Sequence, residues 1–179
     1  MNIYRLDTPS DENGNPLSKL VCIDESYNLT KWWLDAECRR AECLKTYVTP
    51  TWKWCGNKKW PTSDHPDGAV PGKLFSQKAI NVLIGLLDFK RGDLFELRNP
   101  DEDKYWMYVL WESIDIVDLP KPDVACGHLR PPVKMKSCYP TPPIFESFHE
   151  SSTWVTEDFK LAVDNAGLTG FEFVLLGNT

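Results

Sequence analysis

TWVTEDFKLAVDNAGLTGFEF, from Thr153 to Phe173, holds a whole supersecondary unit. It opens with an extended piece at Trp154 and Val155. Thr156 then stands as an N-cap, and Glu157 and Asp158 fill the first helical turn, where the positive end of the helix dipole favours them. Phe159 and Val163, one helical turn apart, mark the buried face, and Asn165 to Gly167 stop the helix. Phe171, Phe173 and Leu175 alternate as a strand. Trp154, Phe159, Phe171 and Phe173 are expected to close a core, each contributing on the order of 2 kcal/mol by burial.

The middle of the chain echoes this unit. Leu74 and Phe75 precede the cap residue Ser76, Ala79 and Leu83 take the places of Phe159 and Val163, and a strand from Asp93 to Arg98 follows Gly92. NPDED (99–103) suits a hairpin loop into a second strand, Tyr105 to Ile116. Tyr105, Met107, Val109 and Trp111 point one way along it, and Trp106, Tyr108 and Leu110 the other. An alternation with both faces apolar belongs to a central strand covered on both sides. Strand–helix–strand units around a hairpin predict an α+β fold, with a mixed, mostly antiparallel sheet and helices packed on it.

Outward from this centre the signals thin. NIYRL (2–6) reads as an opening strand, Leu20 to Ile23 as another, and Leu29 to Leu44 as a helix. Thr49 to Gly72, with four prolines and three glycines, reads as irregular. Residues 120–150 hold seven of the 14 prolines and read as an extended connector along the surface, anchored by Val133, Met135, Tyr139, Ile144 and Phe145. We take 1–179 as a single domain. Its parts are a variable 1–72, a core of 73–118 and 151–176, and the 120–150 connector.

Composition narrows the function classes. A net charge of −6 argues against general nucleic-acid binding, which needs a basic face. The start, MNIYRLDTPS, lacks a signal-peptide apolar region, and Ala79 to Leu87 is too short to span a bilayer, so a cytoplasmic protein with no membrane partner is expected. Six cysteines without a CxxC pair read as reduced thiols.

LFSQKAINVLIGL, GDLFEL, YWMYVLWESIDIVD and the closing TWVTEDFKLAVDNAGLTGFEF together resemble bacterial polymorphic-toxin immunity proteins, of immunity protein family eleven, formerly a domain of unknown function. The family's V-S-E-x-F-K helix start is matched by Val155-Thr156-Glu157-Asp158-Phe159-Lys160, and its G-x-T-G-x-x-F by Gly167 to Phe173. The likeness covers residues 73–118 and 151–176 and stops at the 31–60 and 120–150 regions. It implies a non-catalytic protein, without cofactor, that binds and blocks a co-encoded toxin.

Candidate contact residues follow from charge and aromatic content. Between 99 and 118, Asp101, Glu102, Asp103, Glu112, Asp115 and Asp118 face only Lys104. Such a stretch fits the basic cleft of a nuclease or nucleotide-targeting toxin, and equally a solvated hairpin tip. In TWKWCGNKKWP (51–61), Trp52 and Trp54 read either as interface anchors or as core residues beneath solvated lysines; interleaved with those lysines they also suit base stacking. Cys126 and His128, with Cys138, offer a thiol and base or an incomplete metal set, and His65 a polar loop residue or an acid–base group. None sits in a recognisable motif, so no metal is assigned and an enzyme using Cys126/His128 or His65, like a plain adaptor, stays the alternative.

Overall fold

The computed structural model describes residues 1–24, 40–55, 62–68, 70–99, 104–118, 131–136 and 141–179. In chain order the elements are β1 (Asn2–Asp7), β2 (Leu20–Cys22), α1 (Arg40–Thr46), β3 (Trp52–Trp54), β4 (Lys73–Ser76), α2 (Gln77–Leu83), β5 (Gly92–Leu97), β6 (Tyr105–Leu110), β7 (Ser113–Ile114), β8 (Ile144–Ser147), β9 (Glu150–Thr156), α3 (Glu157–Asn165) and β10 (Glu172–Asn178). Among the described residues the strands form a five-stranded sheet, β10-β1-β9-β8-β7, a three-stranded sheet, β4-β6-β5, and a two-stranded ribbon, β2-β3. All pairs are antiparallel except β7 with β8, so the fold is α+β with mostly antiparallel sheets. No helix among the described residues is long and apolar enough to cross a membrane.

β6 is the central strand its two apolar faces predict. Tyr105, Met107 and Val109 pack into one core with Leu20, Trp52 and Phe95. Tyr108 and Leu110 pack into a larger one with Phe75, Leu83, Phe159 and Val163. The five-stranded sheet repeats the device. On β9, Val155 joins the larger core while Trp154 turns to a third, with Ile3, Phe145 and Leu176. Trp154 is fully buried, and its indole N–H is satisfied by donating to Ser152 Oγ at 2.8 Å.

The paired strand–helix units are both present, and their helices pack against each other beside the larger core. Ser76 caps α2 as expected, its Oγ accepting from the Ala79 N–H at 3.0 Å. Thr156 takes the cap position of α3, but its side chain makes no cap hydrogen bond; the hydroxyl oxygen is buried without a partner among the described residues. The α3 helix ends as read, on Gly167 at φ 57°.

Several boundaries differ from the sequence reading. The strand expected over 105–116 stops at Leu110, and Ser113–Ile114 crosses to the other sheet as β7. Part of the irregular 49–72 stretch is a strand, because Trp52–Trp54 pairs with Leu20–Cys22. The connector is more than surface packing. Ile144 to Glu150 enters the five-stranded sheet, while Val133 and Met135 are buried against it. Tyr139 lies outside the described residues. So does most of the expected 29–44 helix, whose described end is α1, and the hairpin loop at 100–103. Leu175, expected inward, is 51% exposed. The β1–β10 register slips between Ile3 and Tyr4, and this bulge turns Leu176 inward instead.

The outer edge of β5 is covered by α1 rather than left open. Arg40 grips the Asp93 carboxylate through Nε at 2.6 Å and Nη2 at 2.9 Å, and the Tyr47 hydroxyl donates to the Glu96 carbonyl at 2.7 Å. Side chains thus occupy groups that would otherwise invite another strand.

Gly170 joins the two halves at close quarters. It holds φ 82°, and a Cβ there would lie 2.7 Å from both the His65 carbonyl oxygen and Ser63. Gly167 also has positive φ, with open space around it. Gly170→Ala should therefore cost about 3 kcal/mol, lowering Tm by roughly 6–12 °C, whereas Gly167→Ala should cost about 1 kcal/mol of backbone strain alone. Thermal melts of both variants check this, and equal losses would refute the close approach.

Candidate functional site

The Ser63-Asp64-His65 bend lies where the two strand–helix units meet. The Asp64 carboxylate accepts from the Ser76 hydroxyl at 2.6 Å, the Thr169 N–H at 2.9 Å and the Thr169 hydroxyl at 3.3 Å, with the Lys78 ammonium at 3.5 Å. The Asp64 and His65 N–H groups both donate to the Thr169 carbonyl, and the Ser76 N–H to the Asp64 carbonyl. One aspartate thereby ties the β4–α2 junction to the α3–β10 loop. Burial of a carboxylate is tolerable here because several donors replace its lost water.

Around this node opens a polar cavity of about 310 Å³. Its wall carries Thr62, Asp64, Ser76 and Thr169, the ammonium-bearing Lys78 and Lys104, and the edge of Tyr105. The supports behind it are fixed. The Tyr105 hydroxyl donates to the Ser63 carbonyl at 2.9 Å, the Gln77 N–H donates to the Lys104 carbonyl at 2.9 Å, and Trp106 Nε1 donates to Gln77 Oε1 at 2.9 Å. The Lys78 ammonium is further steadied by the Gly167 carbonyl at 3.2 Å. Lys104 has no ion-pair partner among the described residues. The hydroxyl, carboxylate and ammonium groups on its wall can hold a hydrophilic ligand.

His65, beside this node, lies in the bend but is buried rather than solvated. It is 1% exposed, its ring lying between Phe75 and Phe171 at centroid distances of 5.3 and 4.9 Å. Its Nδ1 sits 2.7 Å from the Leu74 carbonyl, which only accepts, so Nδ1 carries the hydrogen. Nε2 is buried with no partner among the described residues. Burial, reinforced by the nearby Lys73 charge, pushes its pKa from 6.5 down to about 3. A neutral imidazole closed off from solvent packs the core and does not reach a substrate, so His65 is not the acid–base group of the alternative reading.

The tryptophan candidates divide. Trp52 is 1% exposed and belongs to the core on one side of β6, so it is no surface anchor. Its strand pairing with β2 turns the ring inward. Trp54 is half-buried and stands edge-on to Tyr105 at 5.3 Å.

The described acids of the stretch, Glu112, Asp115 and Asp118, do not form an unpaired anionic patch. Glu112 is exposed, with Arg91 Nε at 3.8 Å. Asp115 is paired with Lys136 at 2.7 Å and with His149 Nε2 at 2.9 Å, and these contacts, Lys136 first, hold its carboxyl below the usual range. Asp118 pairs with Lys134, which lowers it likewise. Each described acid of the stretch thus has a cation beside it. Asp101, Glu102 and Asp103, and also Cys126, His128 and Cys138, lie outside the described residues. Among the described residues no three His, Cys, Asp or Glu side chains are placed to share a metal ion.

Asp64, Lys78, Lys104 and Thr169 were not candidates in the sequence. They carry no periodic signal and come from four separate segments. The one legible hint is Thr169-Gly170, a polar residue followed by glycine where a simple helix stop needs neither.

No protein-family model matches the chain, and no curated protein matches it either.

Because the His65 pKa is depressed on folding, the unfolded chain takes up the proton first as pH falls. Its contribution is complete above pH 6.5 and is lost as pH drops towards 3, at up to about 1.4 kcal/mol per pH unit. His65→Asn keeps a donor for the Leu74 carbonyl but does not titrate. Urea denaturation from pH 7 to 4 should show a steeper loss for wild type than for the variant, whatever their stabilities at pH 7. Parallel slopes would disprove the buried neutral imidazole.

Proposed function

We propose that this protein binds a cognate antibacterial protein toxin inside the producing cell and neutralises it stoichiometrically by occluding its active site. The observation that carries this reading is that the strings resembling the immunity family fold into one connected framework. LFSQKAINVLIGL supplies β4 and α2, GDLFEL and YWMYVL supply β5 and β6, and the closing stretch supplies part of β9, α3 and the start of β10. All contribute to the larger core around Phe75, Tyr108 and Phe159. A likeness carried by such packing residues is a likeness of scaffold and does not itself mark the recognition surface.

The acidic connection at 101–103 is the favoured contact, and Glu112 joins it where the toxin is large enough to reach past β6. Acid there would steer a basic toxin cleft into place. Trp52 drops out, since its ring is buried.

Expression of a toxin encoded beside this chain's gene, with and without this protein, tests the reading. Toxicity relieved only by co-expression is the expected result; toxicity without rescue would reject it. With the purified pair, changing Asp101, Glu102 and Asp103 to Lys should slow association about tenfold at low salt and much less at high salt. Unchanged association kinetics at low salt would remove the acidic tip from the interface.

A further inference from the structure

We propose that the cavity beside Asp64 is a binding site for a phosphate monoester, a small dianion carried on a hydrophilic group. This goes beyond toxin binding and does not rest on it. Elsewhere among the described residues, acids of the 99–118 stretch stand next to cations, as Asp115 does with Lys136 and Asp118 with Lys134. In the cavity the balance reverses. Lys78 and Lys104 both line it, and among the described residues the only carboxylate on the wall is Asp64.

That carboxylate is already committed. It takes hydrogen bonds from Ser76 and Thr169 in addition to the Lys78 ammonium at 3.5 Å, so it offsets the two lysines only in part. Lys78 is held in place by Asp64 and by the Gly167 carbonyl at 3.2 Å, while Lys104 has no ion-pair partner among the described residues. Two ammonium groups brought together from separate segments bind phosphate as point charges. The hydroxyl of the exposed Thr62 adds a donor. The volume, about 310 Å³, exceeds what a bare phosphate fills and leaves room for a hydrophilic group such as a sugar.

Isothermal titration of the full chain at fixed ionic strength, with inorganic phosphate and with ribose 5-phosphate as probes, tests the proposal. Saturable binding to wild type is expected, tighter for ribose 5-phosphate, and about tenfold weaker in Lys104→Gln and in Lys78→Gln. Lys104→Gln breaks no described ion pair, so its unliganded melting temperature should match wild type; Lys78→Gln tests the second ammonium. Non-saturable heats, or equal affinity in wild type and Lys104→Gln, would overturn the site. Equally strong binding of acetate would overturn the assignment to phosphate.

Discussion

A strand that is apolar on both faces has to be covered twice, and β6 imposes this condition on the rest of the molecule. Tyr105, Met107 and Val109 need one cover; Tyr108 and Leu110 need another. The first is met by the β2–β3 ribbon with Trp52 and Cys43, the second by α2, α3 and the near face of the five-stranded sheet. Neither cover could be dropped without exposing large side chains that each contribute about 2 kcal/mol by burial. The same logic then passes outward. The five-stranded sheet, once placed against the helices, exposes Ile3, Phe145 and Trp154 on its other face, and the 114–117 and 131–136 segments close over them.

Stacked cores of this kind need to be held in register, and apolar contact alone is non-directional. Directionality comes from a few polar ties. Asp64 links the β4–α2 junction to the α3–β10 loop, and Gly170 lets the backbones approach closely enough for the Thr169 carbonyl to receive two N–H groups. At the opposite end of the three-stranded sheet, Arg40 on Asp93 and Tyr47 on Glu96 fasten α1 along the β5 edge. Lys73 makes a third tie, its part-buried ammonium donating to the Leu6 carbonyl at 3.1 Å and so joining the smaller sheet to β1 of the larger.

What the sequence made legible was what periodicity and capping encode. The alternation from Tyr105 to Leu110, the Ser76 cap and the Phe159–Val163 helix face all depend on neighbours within a few residues, and all stand in the structure. What it hid depends on distant partners. Trp52–Trp54 is too short to signal a strand and exists because Leu20–Cys22 lies beside it. The break after Leu110 leaves no mark in an apolar run; it arises because Ser113 and Ile114 pair with β8 in a different sheet. The bulge that exchanges Leu175 for Leu176 is a register effect between the two ends of the chain. The cavity was illegible for the same reason, being assembled from segments near 62, 77, 104 and 169.

Charge shows how far composition can mislead about a surface. The net −6 and the acid-rich 99–118 stretch suggest an anionic face, yet the fold spends Glu112, Asp115 and Asp118 beside Arg91, Lys136 and Lys134. Paired charges of opposite sign cast little field beyond the Debye length of about 8 Å at physiological salt. Long-range attraction then depends on charges left without a local counterpart, not on the total. By that measure the described surface offers cationic character at Lys104, next to a concave polar wall, and acidic character at exposed carboxylates with no ion pair among the described residues, such as Asp158 and Glu172.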